Sequence, residues 1–344
     1  AKTSTCPSFQ SVRPRAVELN DLICCVLSTA VTYPALPGVD ANGKAAVLRR
    51  FQIPTCFRMK VVDGDATALV VGMDGVARVW DLAQNREARV LMKDANFRCL
   101  ATSSDGGRVV LCDSKGTATL LSKDKILKQV KSHSVHGGPA VLAKSGAFAI
   151  VSGGDSRFAD RVVCTVKFWD LTTNKLKHQF GPTHSFVTDM ILLPDERTLV
   201  TVGGHRSDKP VECVVRIWEV HTGKLLAELG GHTDSIKWVS VNLNGDRLLT
   251  GSADGTVRLW DLPKRSQVME ISVPGVWCGA IAPDGKRCVV GAGTQAIVFD
   301  LETKKEVSRF TEHRALVTNV GFLTNGTDAY SVSGEGMMAF WRSR

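Results

Sequence analysis

Apolar and polar residues alternate along most of this chain, in short runs. Thr256-Val257-Arg258-Leu259-Trp260-Asp261 is one such run, and Arg247–Gly251 is another. A period of two over four to eight residues is the signature of a strand with one face buried. The runs are separated by turn formers such as Leu243-Asn244-Gly245-Asp246 and Ala282-Pro283-Asp284-Gly285. Asp254-Gly255 and Asp74-Gly75 each sit between two alternating runs, a strong hairpin signal. The pattern predicts short antiparallel strands throughout.

The strands recur in phase. Six segments line up: VARVWD to Asp81, VKFWD to Asp170, VRIWE to Glu219, VRLWD to Asp261, AIVFD to Asp300 and MMAFW to Trp341. The interval from Trp80 to Trp169 is about twice the others, which implies a hidden unit. TATLLS supplies it, with Leu121 at the anchor position. The anchors become Trp80, Leu121, Trp169, Trp218, Trp260, Phe299 and Trp341, giving seven units. Four short strands per unit at this period describe one propeller blade.

These residues resemble the WD40-repeat family. The clearest repeat runs from Gly231-His232 to Trp260-Asp261, and the likeness extends over residues 44–344. It implies an all-β, seven-bladed propeller with four antiparallel strands per blade. It also implies a hydrogen-bonded tetrad inside the fifth blade, formed by His232, Thr250 or Ser252, Asp254 and the indole of Trp260. A buried indole N–H needs an acceptor and a buried carboxylate needs donors. Blade two departs from the pattern, with Leu121 for Trp and Lys115 at the turn Asp, and is expected to be the weakest. His184 and His313 lack the preceding Gly, and blade six uses Phe299.

The last unit stops after its third strand. Lys44–Phe51 looks like an outer strand and resembles Lys224–Leu229. The expectation is that it completes blade seven and closes the ring. Residues 1–43 are then an N-terminal extension, and 44–344 the propeller. Val17–Leu27 within the extension reads as a short amphipathic helix or a strand along the side of the ring.

Composition narrows the function classes. The 344 residues include 43 Lys+Arg and 34 Asp+Glu, a formal charge of +9, with mean hydropathy +0.01. No apolar run approaches the roughly 20 residues of a membrane-spanning helix. The 10 cysteines are scattered without a C-x-x-C and read as reduced, buried thiols of an intracellular protein. Lys2, Arg13 and Arg15, with no acid before Glu18, leave an organellar (mitochondrial) address open beside a cytoplasmic or nuclear one.

The chain lacks G-x-x-x-x-G-K-[ST], H-E-x-x-H and G-x-S-x-G. His133 and His136 are spaced for a metal but have no local Cys or carboxylate beside them. No catalytic residue, metal, cofactor or small-molecule substrate is expected. Function should therefore lie on the loops and faces of the ring.

Two features mark a binding face. Aligned first strands place Arg58, Arg98, Gly138, Thr188, Lys237, Trp277 and Thr318 at one position. The family resemblance puts that position at the mouth of the central channel. Arg58, Arg98, Lys237 and Trp277 there suit an acidic or phosphorylated protein segment, or RNA phosphate. Two expanded loops in adjacent blades add Arg157, Phe158 and Arg161, and His205, Arg206 and Lys209. Such loops are either partner contacts or decorated, solvated hairpins. The leading expectation is a non-catalytic scaffold within a multi-subunit assembly. The alternative is an RNA-facing subunit of a ribosome or other ribonucleoprotein particle. A ubiquitin-ligase substrate receptor is less favoured, because the W-D-x-R form is missing after each W-D.

Overall fold

The computed structural model describes residues 46–343, except 63, 94–95, 104–105, 124, 135, 159–160, 174, 184–185 and 205–212. The described residues form seven four-stranded antiparallel sheets and no helix. The first strand of each sheet packs against the first strands of its neighbours, so seven inner strands surround one axis. From blade one to blade seven they are Cys56–Val62, Phe97–Thr102, His136–Leu142, Val187–Leu192, Ile236–Val241, Val276–Ile281 and Val317–Phe322. The hidden unit is real: Thr117–Ser122 is the third strand of blade two, with Leu121 fully buried at the anchor position.

The inner strands are stitched from blade to blade. Thr188 Oγ1 donates to the Ile236 carbonyl at 2.5 Å, and the Val239 amide donates to Asp189 at 3.1 Å. Blade six continues the series, with the Ile281 amide on Ser240 Oγ and Cys278 Sγ on the Val317 carbonyl. Trp238 of blade five lies against Gly251 of its own sheet and Gly279 of blade six. A Cβ at either glycine would collide with the indole, so both positions require the smallest residue.

Blade seven is built from both ends of the described chain. Val47–Gln52 is its outer strand, antiparallel to Met337–Arg342. The pairing continues past the strand, with the Arg342 amide on the Ala46 carbonyl and the Ile53 amide on the Gly336 carbonyl. Arg50 also pairs with Glu312. Phe51 and Ile53 are buried against Met338 and Phe340. This is the closure expected from the likeness of Lys44–Phe51 to an outer strand. Residues 1–43, including Val17–Leu27, lie outside the described residues.

The core is divided among seven apolar clusters, most of them seated between neighbouring sheets. None of the described cysteines forms a disulfide, and almost all are buried. Burial pushes the Cys56, Cys278 and Cys288 thiols up to about 12, so they act as apolar filler. No helix among the described residues is long and apolar enough to cross a membrane.

Candidate functional site

The Asp-Gly hairpins and the starts of the inner strands lie together on one face, and blade five shows how that face is held. His232 Nδ1 meets Asp254 at 2.8 Å and its Nε2 meets Thr250 Oγ1 at 2.9 Å. The Trp260 indole donates to the same Thr250 oxygen at 2.9 Å. Burial opposes ionisation of Asp254. Hydrogen bonds from Thr256, the Thr233 amide and His232 outweigh it and hold the carboxyl near pH 2. Ser252, the other sequence candidate, is not in this chain of bonds. Its hydroxyl donates to the carbonyls of Asp234 and Ser235.

The other blades follow a rule set by the residue two places beyond the one facing the anchor aromatic. In blades four, five and seven that residue is Thr201, Thr250 and Ser331, and each accepts the indole N–H. In blades one and three it is Val70 and Val151, and the indole nitrogens of Trp80 and Trp169 are buried without a partner. Blade seven keeps the His, with His313 Nε2 on Ser331 at 2.7 Å. Its turn carries Glu335 where blade five has Asp254, and Glu335 accepts the Arg314 amide instead. His313 Nδ1 is left unpartnered.

Blade three hides its turn acid within a longer hairpin. Its middle strands run Phe148–Phe158 and Arg161–Asp170, paired to the tip through Phe158 and Arg161. The expanded loop expected there is therefore largely a projecting two-stranded ribbon. Asp155 stands at the register position of Asp254 despite the insertion. It accepts Thr165 Oγ1 at 2.7 Å and Lys167 Nζ at 2.8 Å. The side chains of Arg157, Phe158 and Arg161, and the whole of the blade-four loop with His205, Arg206 and Lys209, lie outside the described residues.

Burial pushes His133 and His313 down to about 4, with the Lys167 charge adding to the effect at His133. Both are neutral in the folded ring, whereas in an unfolded chain they titrate near pH 6.5. Stability is therefore complete above about pH 6.5 and declines as pH falls towards 4, because the unfolded chain takes up protons first. His313 alone should account for roughly 3 kcal/mol by pH 4. Urea unfolding at pH 7 and pH 4.5 measures this, and His313→Gln should flatten part of the slope.

The channel mouth differs from the sequence alignment in blade one. Each inner strand has an irregular step at the mouth. The stepped residue is Arg98 in blade two, Thr188 in blade four, Lys237 in blade five, Trp277 in blade six and Thr318 in blade seven. In blade one it is Phe57, and Arg58 lies one place further along. Arg58 thus shares its register with Cys99, Asp189, Trp238, Cys278 and Asn319. Its charge acts on Asp189 of blade four and Cys278 of blade six. Asp189 is pushed upward by burial and held down in part by Arg58 and two backbone amides. Arg58 and Asp189 therefore act on one another among the inner strands that form the lining of the ring.

Around that lining, Thr188 and Thr318 are tied to backbone carbonyls. Arg98 is exposed and Lys237 is half-buried. Trp277, next to Lys237 on the neighbouring inner strand, is 43% exposed. Among the described residues no group of three or more His, Cys, Asp or Glu is arranged to hold a metal ion.

The family model described as "WD domain, G-beta repeat" matches residues 223–261. That span ends on Trp260-Asp261 and contains every member of the complete tetrad. The chain belongs to the WD40-repeat family. The other blades keep the WD40 architecture with parts of the tetrad replaced. The chain is also similar to THO complex subunit 6 of Homo sapiens, at 24% identity over 236 residues. That match covers 61% of this chain and 64% of the human protein, just under two thirds of its length. The Rattus norvegicus THO complex subunit 6 homolog is 23% identical over 272 residues, covering 71% and 74% of the two chains. Ribosome biogenesis protein YTM1 of Laccaria bicolor is 25% identical over 172 residues, 48% and 35% of the two.

Proposed function

We propose that this WD40 ring is a non-catalytic scaffold that joins protein partners inside a multi-subunit, RNA-handling assembly within the cell. The observation that carries this reading is the closed seven-bladed ring together with its likeness to subunits of THO complexes over most of its length. The match to a ribosome biogenesis protein points the same way. The channel face is the principal contact surface, with Trp277 as its apolar anchor and Arg98 and Lys237 as cations around it. An exposed indole beside cations suits a protein segment carrying acidic groups. Arg58, set among the inner strands, supports the ring rather than the contact.

Purification of the tagged full chain tests this. Several partners should co-purify in fixed ratio. The pair Lys237→Glu with Trp277→Ala should cut recovery of at least one partner about tenfold while melting as the parent does. Unchanged recovery of every partner by a folded variant would remove the channel face from the reading. RNA contact, the alternative role, is read in the same preparation. Nuclease treatment releases partners held through RNA and leaves those held by protein.

A further inference from the structure

The outer wall of the ring is electrically lopsided. The outer strand of blade two, Lys125–Lys131, has the sequence KILKQVK, three lysines and no acid. The outer strand of blade three, Lys175–Thr183, adds Lys175 and Lys177 and again no acid. In the next two blades round the ring, four and five, the outer strands carry Glu228 and Glu270 and no cation. The basic wall also holds exposed apolar groups: Ile126 and Leu127 are 52% and 56% exposed.

A crevice opens between blades two and three beneath these lysines. Leu120, Val130, Val151, Trp169 and Leu171 line it together with Asp170, which already pairs with Lys177 at 3.2 Å, and Lys128 stands at its rim with its ammonium 6.0 Å from the Trp169 ring centre. The Trp169 indole nitrogen is buried without an acceptor. A second crevice lies between blades one and two, where Leu121 replaces a tryptophan, and Arg89 and Lys123 flank it. Blade two is thus bordered on both sides by crevices with cationic groups, and the one towards blade three has the apolar floor. Phosphate alone would use the charge and leave the apolar floor and the exposed leucine unmatched. A protein segment carrying both apolar and acidic side chains uses both.

We propose that the outer wall of blades two and three docks an acidic, amphipathic protein segment. Its apolar side chains pack over the shallow Val130–Trp169 crevice and cover Leu127, and its carboxylates pair with Lys125, Lys128 and Lys175. Such charge pairing steers association and fixes register, while the buried apolar anchor supplies most of the affinity. The inference rests on the scaffold reading but concerns a surface away from the channel face, so the two fail independently.

The test uses the full chain and two fluorescein-labelled probes: a 16-residue peptide built of leucine and glutamate pairs, and a 20-nucleotide poly(U) RNA. Anisotropy is read at low and moderate salt. The peptide should bind, and Lys125→Glu with Lys128→Glu should weaken it at least tenfold. Ile126→Ser with Leu127→Ser should weaken it about fivefold and leave RNA unaffected. Matching melting curves confirm that the variants fold. Absence of peptide binding overturns the proposal. So does peptide binding that the serine pair leaves intact, or poly(U) binding that displaces the peptide and depends on the lysines alone. Trp277→Ala should not change peptide binding, which separates failure here from failure of the channel-face reading.

Discussion

Deletion of residues 44–52 should abolish cooperative unfolding of the whole ring, whereas removal of residues 1–15 should leave the melting curve in place. The deleted segment contains the outer strand of blade seven, with Phe51 buried against Met338 and Phe340. Burial of such a side chain contributes about 2–3 kcal/mol. The cavity left behind and the lost ladder hydrogen bonds add to this. The sum approaches the whole stability of a typical domain, about 5–15 kcal/mol. Deletion also exposes the Met337–Arg342 strand as a bare edge. Circular dichroism melts and urea titrations measure the effect. Equal stability of the two truncations would falsify closure by this strand.

Thr250→Val should destabilise blade five by about 2–4 kcal/mol, the largest effect expected from removing one oxygen. That oxygen accepts the Trp260 indole and meets His232 Nε2. Its loss leaves two buried polar groups unpartnered at once, in a region where Trp260 is only 2% exposed. Ser252→Ala, two residues away, removes a hydroxyl that donates to carbonyls and accepts the Asp254 amide, touches neither His232 nor Trp260, and should cost less. The reciprocal change, Val151→Thr in blade three, offers the orphaned Trp169 nitrogen an acceptor and should stabilise by about 1 kcal/mol. Urea unfolding of the three variants decides the matter. A neutral Thr250→Val would mean that the tetrad is geometric ornament in this chain.

The number of blades was legible because one buried aromatic per unit recurs at fixed phase, and even Leu121 keeps the phase when the aromatic is gone. Closure was legible because an outer strand has its own look, which Lys44–Phe51 shares. The face was less legible, for reasons that are local. The step in each inner strand shifts register by one, and in blade one that step falls on Phe57, so Arg58 takes the register of Asp189 rather than that of Arg98. Thr250 and Ser252 point to the same side of their strand, and only the reach of His232 and Trp260 separates them. Asp155 stayed hidden because the ribbon in blade three separates it from Thr165, its bonding partner, by ten positions in the chain. The basic outer wall was invisible along the sequence, since the lysines of blades two and three gather only when their sheets stand side by side.

The two-ended blade also sets an order of events. Gln52 reaches the Glu335 carbonyl across 283 positions of chain, and contacts of such span form late and slowly. Six sheets can assemble from neighbouring sequence as it becomes available, but the seventh must wait for the first strand and the last to meet. During that interval Met337–Arg342 is an open ladder that any matching strand can occupy. A second copy of this chain carries such a strand in Val47–Gln52, so crowded folding favours exchanged pairs of rings. The joint that makes the finished ring rigid is thus also the point at which two unfinished rings can become entangled.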